Sequence, residues 1–541
     1  MQLIHGLRFD NLRGDIFGGL TAAVVALPLA LAFGVASGAG AIAGLYGAIL
    51  VGFFAAVFGG TPSQVSGPTG PMTVVMAAVI MEFAHQPALA FTVVMLGGAL
   101  QVAFGLLRLG RYVAYMPFPV ISGFMSGIGC IIIILQLRPF LGHASSQDGV
   151  IAAIGGIGEA ISAPGVDALI VGLVALAISI FWPARLRKMA PPPLMALVIA
   201  SLFAAFALQE APVIGNIPQG LPDPTWPMMT LADLPAMIRG AFVLAVLGTI
   251  DSLLTSLIAD NVTRTQHQSN RELIGQGIGN IFAGLMGAIP GAGATMRTVI
   301  NVRAGGRTPI SGALHAIVLL ALVLGLAPLA ERIPHAVLAG ILLKVGWDII
   351  DWDYVKRLRR APLGGTIVML TVLVLTVFVD LITAVAVGII MKSLISADAI
   401  GRQQVAQVRS LTGDDHASSM SEEEAQLFEN TNGRVLLFRL EGAFSFASTR
   451  ELTHKLSAID CDYPVVLFDL TRVEVLDTSV VMALKEVIHR LRDAGHEVMI
   501  SGVETPCGAM MRRLKVLDEI PEACQFPDLA TAIRSLTPQS G

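Results

Sequence analysis

Between residues 16 and 397 the chain alternates long apolar runs with short polar breaks. A helix needs roughly 20 apolar residues to cross about 30 Å of hydrocarbon. Runs of that order fall at 16–36, 40–59, 68–82, 88–107, 117–138, 165–183, 192–208, 239–259, 273–290, 294–303, 310–329, 335–351, 364–380 and 382–397. Numbered in order, they predict an α-helical, polytopic membrane unit of fourteen spans, in which spans 3 and 10 are too short to cross alone. Beyond 398 the pattern changes. Residues 399–432 are polar, with Asp414, Asp415, Glu422, Glu423 and Glu424, and read as a linker. Strand-like runs at 435–440, 464–470 (PVVLFDL) and 497–502, with a helical run at 479–494, then predict a small α/β domain. The expected division is a membrane unit over 1–398, a linker over 399–432 and a soluble domain over 433–541.

Only 14% of the 541 residues are charged and 54% are hydrophobic, whereas charged residues make up roughly 25% of a soluble protein. The 56 glycines suit membrane helices that approach closely. Lys and Arg fix an orientation, because cytoplasmic loops carry the excess. Arg8 and Arg13 precede span 1, and Arg108 and Arg111 follow span 4. Arg185, Arg187 and Lys188 follow span 6, Arg264 and Arg271 follow span 8, and Arg303 and Arg307 follow span 10. Lys356, Arg357, Arg359 and Arg360 follow span 12. The opposite loops are nearly free of them, Arg332 being the main exception. Both termini are therefore expected in the cytoplasm. Residues 1–15 have no cleavable-signal pattern, so span 1 reads as an uncleaved insertion signal. Cys130, Cys461, Cys507 and Cys524 form no C-x-x-C pair, and neither a disulfide framework nor a zinc site is expected.

Span 3 opens with Ser66-Gly67-Pro68-Thr69-Gly70-Pro71-Met72-Thr73, and span 10 with Pro290-Gly291-Ala292-Gly293-Ala294-Thr295-Met296-Arg297. Each is third in a set of seven, and an odd set inserts its copy with opposite polarity. This is the pattern of a 7+7 inverted repeat whose broken helices meet near the midplane. A half-helix starting there presents unpaired N–H groups and the positive end of its dipole. Two such starts make an anion cradle, with Thr69, Gly70, Thr73, Gly293, Ala294 and Thr295 around it. The plainer alternative is a pair of Gly/Pro-rich loops between ordinary helices.

Arg297 sits about one turn into span 10, where it is either a fixed positive charge beside the cradle or a snorkelling end residue. Asp251 and Thr255 share one face of span 8. Their oxygens suit a coupling Na⁺, and Asp251 could instead carry a proton or pair with Arg297. Glu82 and Asp380 read as interfacial, and His315, Met72, Met76 and Met81 as packing.

With the stretches at 67–73, 117–127 (PFPVISGFMSG), 270–280 (NRELIGQGIGN) and 290–307, the chain resembles the sulfate permease (SulP) family of anion transporters over nearly its whole length. The resemblance implies a fourteen-span inverted-repeat fold of core and gate parts, a homodimer and an elevator-like cycle. Within the family, 11–75 and spans 8–9 look closest to the cyanobacterial BicA-type sodium-dependent bicarbonate transporters. In that subgroup the anion lies between the starts of spans 3 and 10, and sodium near the span-8 Asp. This implies anion contacts at Thr69, Ala294 and Thr295, and sodium at Asp251 and Thr255. The subgroup carries Gly where this chain has Arg297, while sulfate and dicarboxylate carriers of the family carry Arg there. The C-terminal part resembles the STAS domain. There Asp477-Thr478-Ser479 matches a loop that is phosphorylated on Ser in related anti-sigma-factor antagonists, so Ser479 is a regulatory candidate, with plain helix capping as its other role.

The expected function is secondary active transport of a small inorganic anion across a bacterial inner membrane, as sodium-coupled bicarbonate uptake. Sulfate transport by proton symport or exchange is the alternative. No cofactor is expected beyond Na⁺, no metal beyond Na⁺ at Asp251, no nucleic-acid partner and no enzymatic activity. A cytoplasmic partner of the STAS domain is compatible with the sequence. A nucleobase permease of similar fold would use carboxylates where span 10 has Arg297 and small residues. A membrane-anchored STAS signalling protein would not need paired broken helices.

Overall fold

The computed structural model describes residues 4–111, 116–144, 149–183, 185–186, 191–208, 210–215, 224–229, 232–379, 381–406, 408–411, 420–431, 433–457 and 463–536. Contacts divide the chain into two units, Met1–Ile389 and Ile390–Gly541.

In the first unit each of the fourteen apolar segments coincides with a helix. In chain order come α1 (Leu12–Ala36), α2 (Ala41–Phe58), the two-residue strand β1 (Ser66–Gly67), α3 (Gly70–Glu82), α4 (Pro87–Leu106) and α5 (Phe118–Phe140). The short α6 (Gly149–Gly155) and α7 (Ile157–Ser162) precede α8 (Val166–Phe181) and α9 (Pro192–Ala207). The second half comprises α10 (Leu234–Thr263), α11 (Ser269–Leu285), β2 (Ala292–Gly293), α12 (Thr295–Ala304), α13 (Pro309–Ala330), α14 (His335–Ile349), the short α15 (Trp352–Arg357), α16 (Leu363–Phe378) and α17 (Leu381–Val405). Among the described residues, α1, α2, α4, α5, α10 and 383–405 of α17 are each long and apolar enough to cross a membrane unaided. Segments α3 and α12 are among the short ones, as their sequences predict.

The turn from α12 into α13 bends by 111°. Gly305 ends α12 at φ 110°, a left-handed conformation that a side chain resists. Thr308 caps α13, and Pro309 opens it where no N–H is needed. The fully buried Asp15 of α1 holds this corner. Its carboxylate accepts from Arg307 N (2.8 Å), Thr308 N (3.0 Å) and Thr308 Oγ1 (2.8 Å).

Helix α11 is packed backbone to backbone. A Cβ on Gly277 would lie 2.5 Å from Gly98 O of α4, and one on Gly98 2.6 Å from Gly277 O. On another face, a Cβ on Gly275 would meet Gly59 N at 2.4 Å, and one on Gly279 would meet Val51 Cα of α2 at 2.9 Å. Helices α5, α8, α9, α14 and α16 pack among themselves as a second cluster, the two-part division that the family resemblance implies.

The second unit is a five-stranded sheet ordered β3-β4-β5-β6-β7, with β3 (Arg409–Leu411) antiparallel and β4 (Val435–Phe444), β5 (Val465–Leu476), β6 (Glu497–Ser501) and β7 (Gln525–Phe526) parallel. Helices α18 (Glu422–Glu429), α19 (Thr449–Ser457), α20 (Thr478–Asp493), α21 (Pro506–Arg513) and α22 (Leu529–Leu536) accompany it. The six buried residues opening β5 explain the unbroken apolar run PVVLFDL, since parallel strands are covered on both faces. The stretch 399–432, read as linker from its polarity, contributes β3 and α18, the latter opened by a Ser421/Glu424 capping box. A three-residue strand and an eight-residue helix are too short to leave a periodic signal. Asp414, Asp415 and Cys461 lie outside the described residues, as do Arg187, Lys188 and Asp380 of the membrane unit. The capping role considered for Ser479 belongs instead to Asp477, whose Oδ1 accepts from Ser479 N at 2.9 Å. Ser479 is exposed, one residue inside the helix.

The centre of this sheet carries a buried ion pair. Arg439 Nε on β4 donates to Asp469 Oδ2 on β5 at 2.8 Å, and Glu424 lies 3.3 Å from Nη2. Asp469 Oδ1 accepts from Ser501 Oγ (2.9 Å), Thr471 N (3.1 Å) and Thr471 Oγ1 (2.6 Å). Burial alone would lower the Arg439 pKa, but the hydrogen bond and charge of Asp469, with Glu424, hold it above the ordinary arginine value. A raised cation contributes at every pH below its unfolded value, so this contribution persists throughout the neutral range. Breaking such a pair leaves an uncompensated buried charge at about 3–5 kcal/mol. Arg439→Leu is therefore expected to destabilise the sheet by that order, read as faster hydrogen exchange of the β4 and β5 amides in the full chain. Gly277→Ala should lower the thermal midpoint of the purified protein through overpacking, at about 1–3 kcal/mol.

Candidate anion site

The two broken helices meet as their sequences predict. Strands β1 and β2 pair antiparallel, Ser66 opposite Gly293 and Gly67 opposite Ala292. Ala294 N also donates to Val65 O at 2.9 Å. This two-residue ladder brings together the starts of α3, entered from Thr69, and α12, entered from Ala294. The first-turn N–H groups of both helices have no acceptor within their own helix. Pro71 falls in the first turn of α3, where its missing N–H costs nothing. Gly67 has φ 149°, and a Cβ there would lie 2.6 Å from Arg297 Nη1. Glycine is thus required both by the backbone and by the guanidinium against it.

Arg297 is 2% exposed, which settles its sequence alternatives against snorkelling. Its Nη2 donates to Pro68 O of the opposite broken segment, while Nη1 has no hydrogen-bond partner. Asp251 is also buried, with Thr69 and Arg297 as its electrostatic neighbours, and its Oδ2 is unpartnered. Thr69 Oγ1 is buried and faces the Asp251 carboxylate without a well-formed hydrogen bond. A guanidinium N–H, a hydroxyl and a carboxylate oxygen are therefore all incompletely satisfied in this dry region. Open buried polar groups are costly in a finished core, and a cluster of them demands a partner.

The threonines divide by where their protons go. Thr255 Oγ1 donates to Gly293 O at 2.9 Å and lies 2.7 Å from Thr295 Oγ1. A hydroxyl has one proton, so Thr295 donates to Thr255, and each oxygen keeps a lone pair free to accept. Thr73 Oγ1 donates to Thr69 O at 2.7 Å within its own helix, so its proton is committed there. Gly70 packs by its backbone between Ile132 and Ile349, where a Cβ would lie 2.8 and 2.9 Å from their Cδ1 atoms. Gly293 contributes its carbonyl to Thr255 and its N–H to Ser252 Oγ at 3.1 Å.

The sequence reading missed the polar scaffold behind these groups. Ser252 and Ser256 are buried on α10, and Ser256 Oγ lies 3.0 Å from Gln64 Oε1 and 2.8 Å from Thr61 Oγ1. Glu272, Gln276 and Asn280 are buried on α11. Their i, i+4, i+8 spacing inside NRELIGQGIGN was the available signal. His315 is fully buried, as the packing assignment expects, and neither ring nitrogen has a hydrogen-bond partner. Met72 and Met76 are buried, whereas Met81 is 38% exposed. Glu82 pairs with Arg239 at a partly exposed position.

Comparison with known proteins accords with this geometry. The sequence signature of the sulfate permease family matches residues 12–372, and that of the STAS domain matches residues 429–532. A bicarbonate transporter BicA from Picosynechococcus sp. is 46% identical over 535 residues, covering 96% of this chain and 94% of that protein. The solved transmembrane domain of a cyanobacterial bicarbonate transporter BicA is 54% identical, covers 71% of this chain and all of that one, and superposes with a TM-score of 0.68. The overall structure of SLC26A9, 17% identical, has the same fold at a TM-score of 0.79 over 98% of this chain and 91% of that one. This multi-pass membrane protein with a C-terminal STAS domain belongs to the sulfate permease family of anion transporters.

Proposed function

We propose that the chain is a secondary active transporter that takes up bicarbonate through the crossing of β1 and β2, driven by sodium held at Asp251. The observation that carries this reading is the antiparallel crossing itself. It brings together two helix starts, and Thr69 and Arg297, both carrying unpartnered buried atoms, are the groups that act on the Asp251 carboxylate. Helix starts and a guanidinium recognise an anion. Asp251 with the lone pairs of Thr255 and Thr295 forms an oxygen set for Na⁺ next to it. An identity of 46% over nearly the whole chain with two proteins named bicarbonate transporters supports the substrate. In this reading all fourteen helices traverse or enter a bacterial inner membrane, both termini are cytoplasmic, and the protein works as a homodimer. The STAS domain, with the exposed Ser479 as its modification candidate, receives a cytoplasmic partner.

Arg297 favours a second reading of the coupling. Its guanidinium already neutralises Asp251, so a sodium ion would make the empty site cationic. The anion, bicarbonate or sulfate, would then move by exchange or with a proton.

Uptake of labelled bicarbonate and labelled sulfate into liposomes, each with and without a sodium gradient, separates the two. Sodium-driven bicarbonate uptake that falls at least about tenfold in Asp251→Asn, a loss of roughly 1.4 kcal/mol, is the expected result. Sulfate uptake indifferent to sodium would overturn the sodium reading. Arg297→Gly frees Asp251 of its internal countercharge. Under the second reading it converts sodium-independent uptake into sodium-dependent uptake, measured in the same assay.

A further inference from the structure

Helix α11 contributes no group to the cradle, yet it carries three buried polar side chains bonded to both broken segments. Glu272 accepts from Gly60 N (2.8 Å) and Thr61 N (2.9 Å) through Oε2, and from Gln64 Nε2 (2.8 Å) through Oε1. One turn on, Gln276 Nε2 donates to Ser66 Oγ at 2.6 Å and to Glu272 Oε1 at 2.8 Å. A further turn on, Asn280 grips Gly291 at both ends, accepting from its N–H at 2.8 Å and donating to its carbonyl at 3.0 Å.

Residues four apart on a helix stand on one face about 6 Å apart. These three side chains are therefore rungs at fixed intervals along a rigid rod. The first two rungs hold the limb that leads through β1 into α3, and the third holds the limb that leads through β2 into α12. The ladder of β1 and β2 is only two residues long, too short to fix the register of the crossing by itself. The rod cannot slide, because on its other faces Gly275, Gly277 and Gly279 lie against the backbones of α2 and α4.

We propose that Glu272, Gln276 and Asn280 are positioning residues for transport. They set the spacing between the starts of α3 and α12, and so the span that an anion must bridge. This rests on the reading of the crossing as the anion site. A small anion touching both helix starts gains affinity from their preorganisation, so loosening one limb raises the concentration needed for half-maximal uptake. The maximal rate, set by movement of the whole unit, is left nearly unchanged.

The test uses the full chain, with Gln276→Leu, Ser66→Ala, their combination, and Asn280→Ala. The first readout is hydrogen exchange in the purified protein, which needs no substrate. Gln276→Leu and Ser66→Ala should speed exchange over 65–69 by about tenfold, and Asn280→Ala should do so over 291–294. The second readout is bicarbonate uptake in liposomes, where KM is expected to rise about fivefold in Gln276→Leu and Ser66→Ala with Vmax retained. Gln276→Leu removes the whole Ser66 contact along with its bond to Glu272, so the double variant should match Gln276→Leu alone. Unchanged exchange at both limbs would overturn the proposal, as would additive effects, or a loss of Vmax at constant KM. Ser66→Ala is mild enough to keep the test decisive should Gln276→Leu fail to fold. If the wild type carries neither bicarbonate nor sulfate while the exchange pattern holds, the anion-site reading fails and the rod stands as a structural device.

Discussion

A helix interrupted inside hydrocarbon leaves backbone N–H and C=O groups with no water to meet them, and this chain interrupts two. Much of the membrane unit follows from satisfying those groups. The broken segments answer each other across β1 and β2, and Asn280 and Glu272 provide partners for backbone groups beyond the reach of the ladder. Glycine at 67 admits the positive φ and the guanidinium together. The first-turn N–H groups of the two helices have no acceptor within their own helices, and in the proposed reading they are the groups that meet an anion, with side chains trimming the charge.

The charge balance at that point is unusually close. Asp251 and Arg297 are both buried and are the principal charges near the crossing. A pair of this kind costs several kcal/mol per ion in desolvation, offset only by mutual attraction and hydrogen bonds. Arg297 has one such bond, to Pro68 O, and an unpartnered Nη1. In the proposed reading, an arriving anion would complete the guanidinium and leave the carboxylate to a cation or a proton, so that coupling between two ligands would follow from these charges before any movement is considered.

The apolar runs made the fourteen helices legible, since span length and Lys/Arg placement act along the chain one segment at a time. Gly/Pro punctuation likewise marked α3 and α12, because breaking a helix demands those residue types. Asp251, Thr255 and Arg297 stood out as polar groups in apolar surroundings. Glu272 was quoted as part of a motif, but its partners Gly60, Thr61 and Gln64 lie more than 200 positions away. The i, i+4, i+8 spacing marks a polar helix face there, but not the distant backbone that the face meets. Thr73 was misleading for a related reason. Its hydroxyl has the right position for a donor, but it satisfies the carbonyl one turn back instead. The described parts of 399–432 were obscured by a composition that fits a linker and an edge strand equally well.

The Asp15 clamp bears on how the protein is made. That carboxylate sits near the start of the first helix, and its partner Thr308 lies 293 residues later. At about 5–20 residues per second, a ribosome needs roughly 15–60 s to deliver the partner. Through that interval α1 carries a carboxylate whose three hydrogen bonds to Arg307 and Thr308 are still missing. The first helix to enter the membrane is thus among the last to be locked, and the N-terminal half waits for the corner of the second half before its own edge is finished.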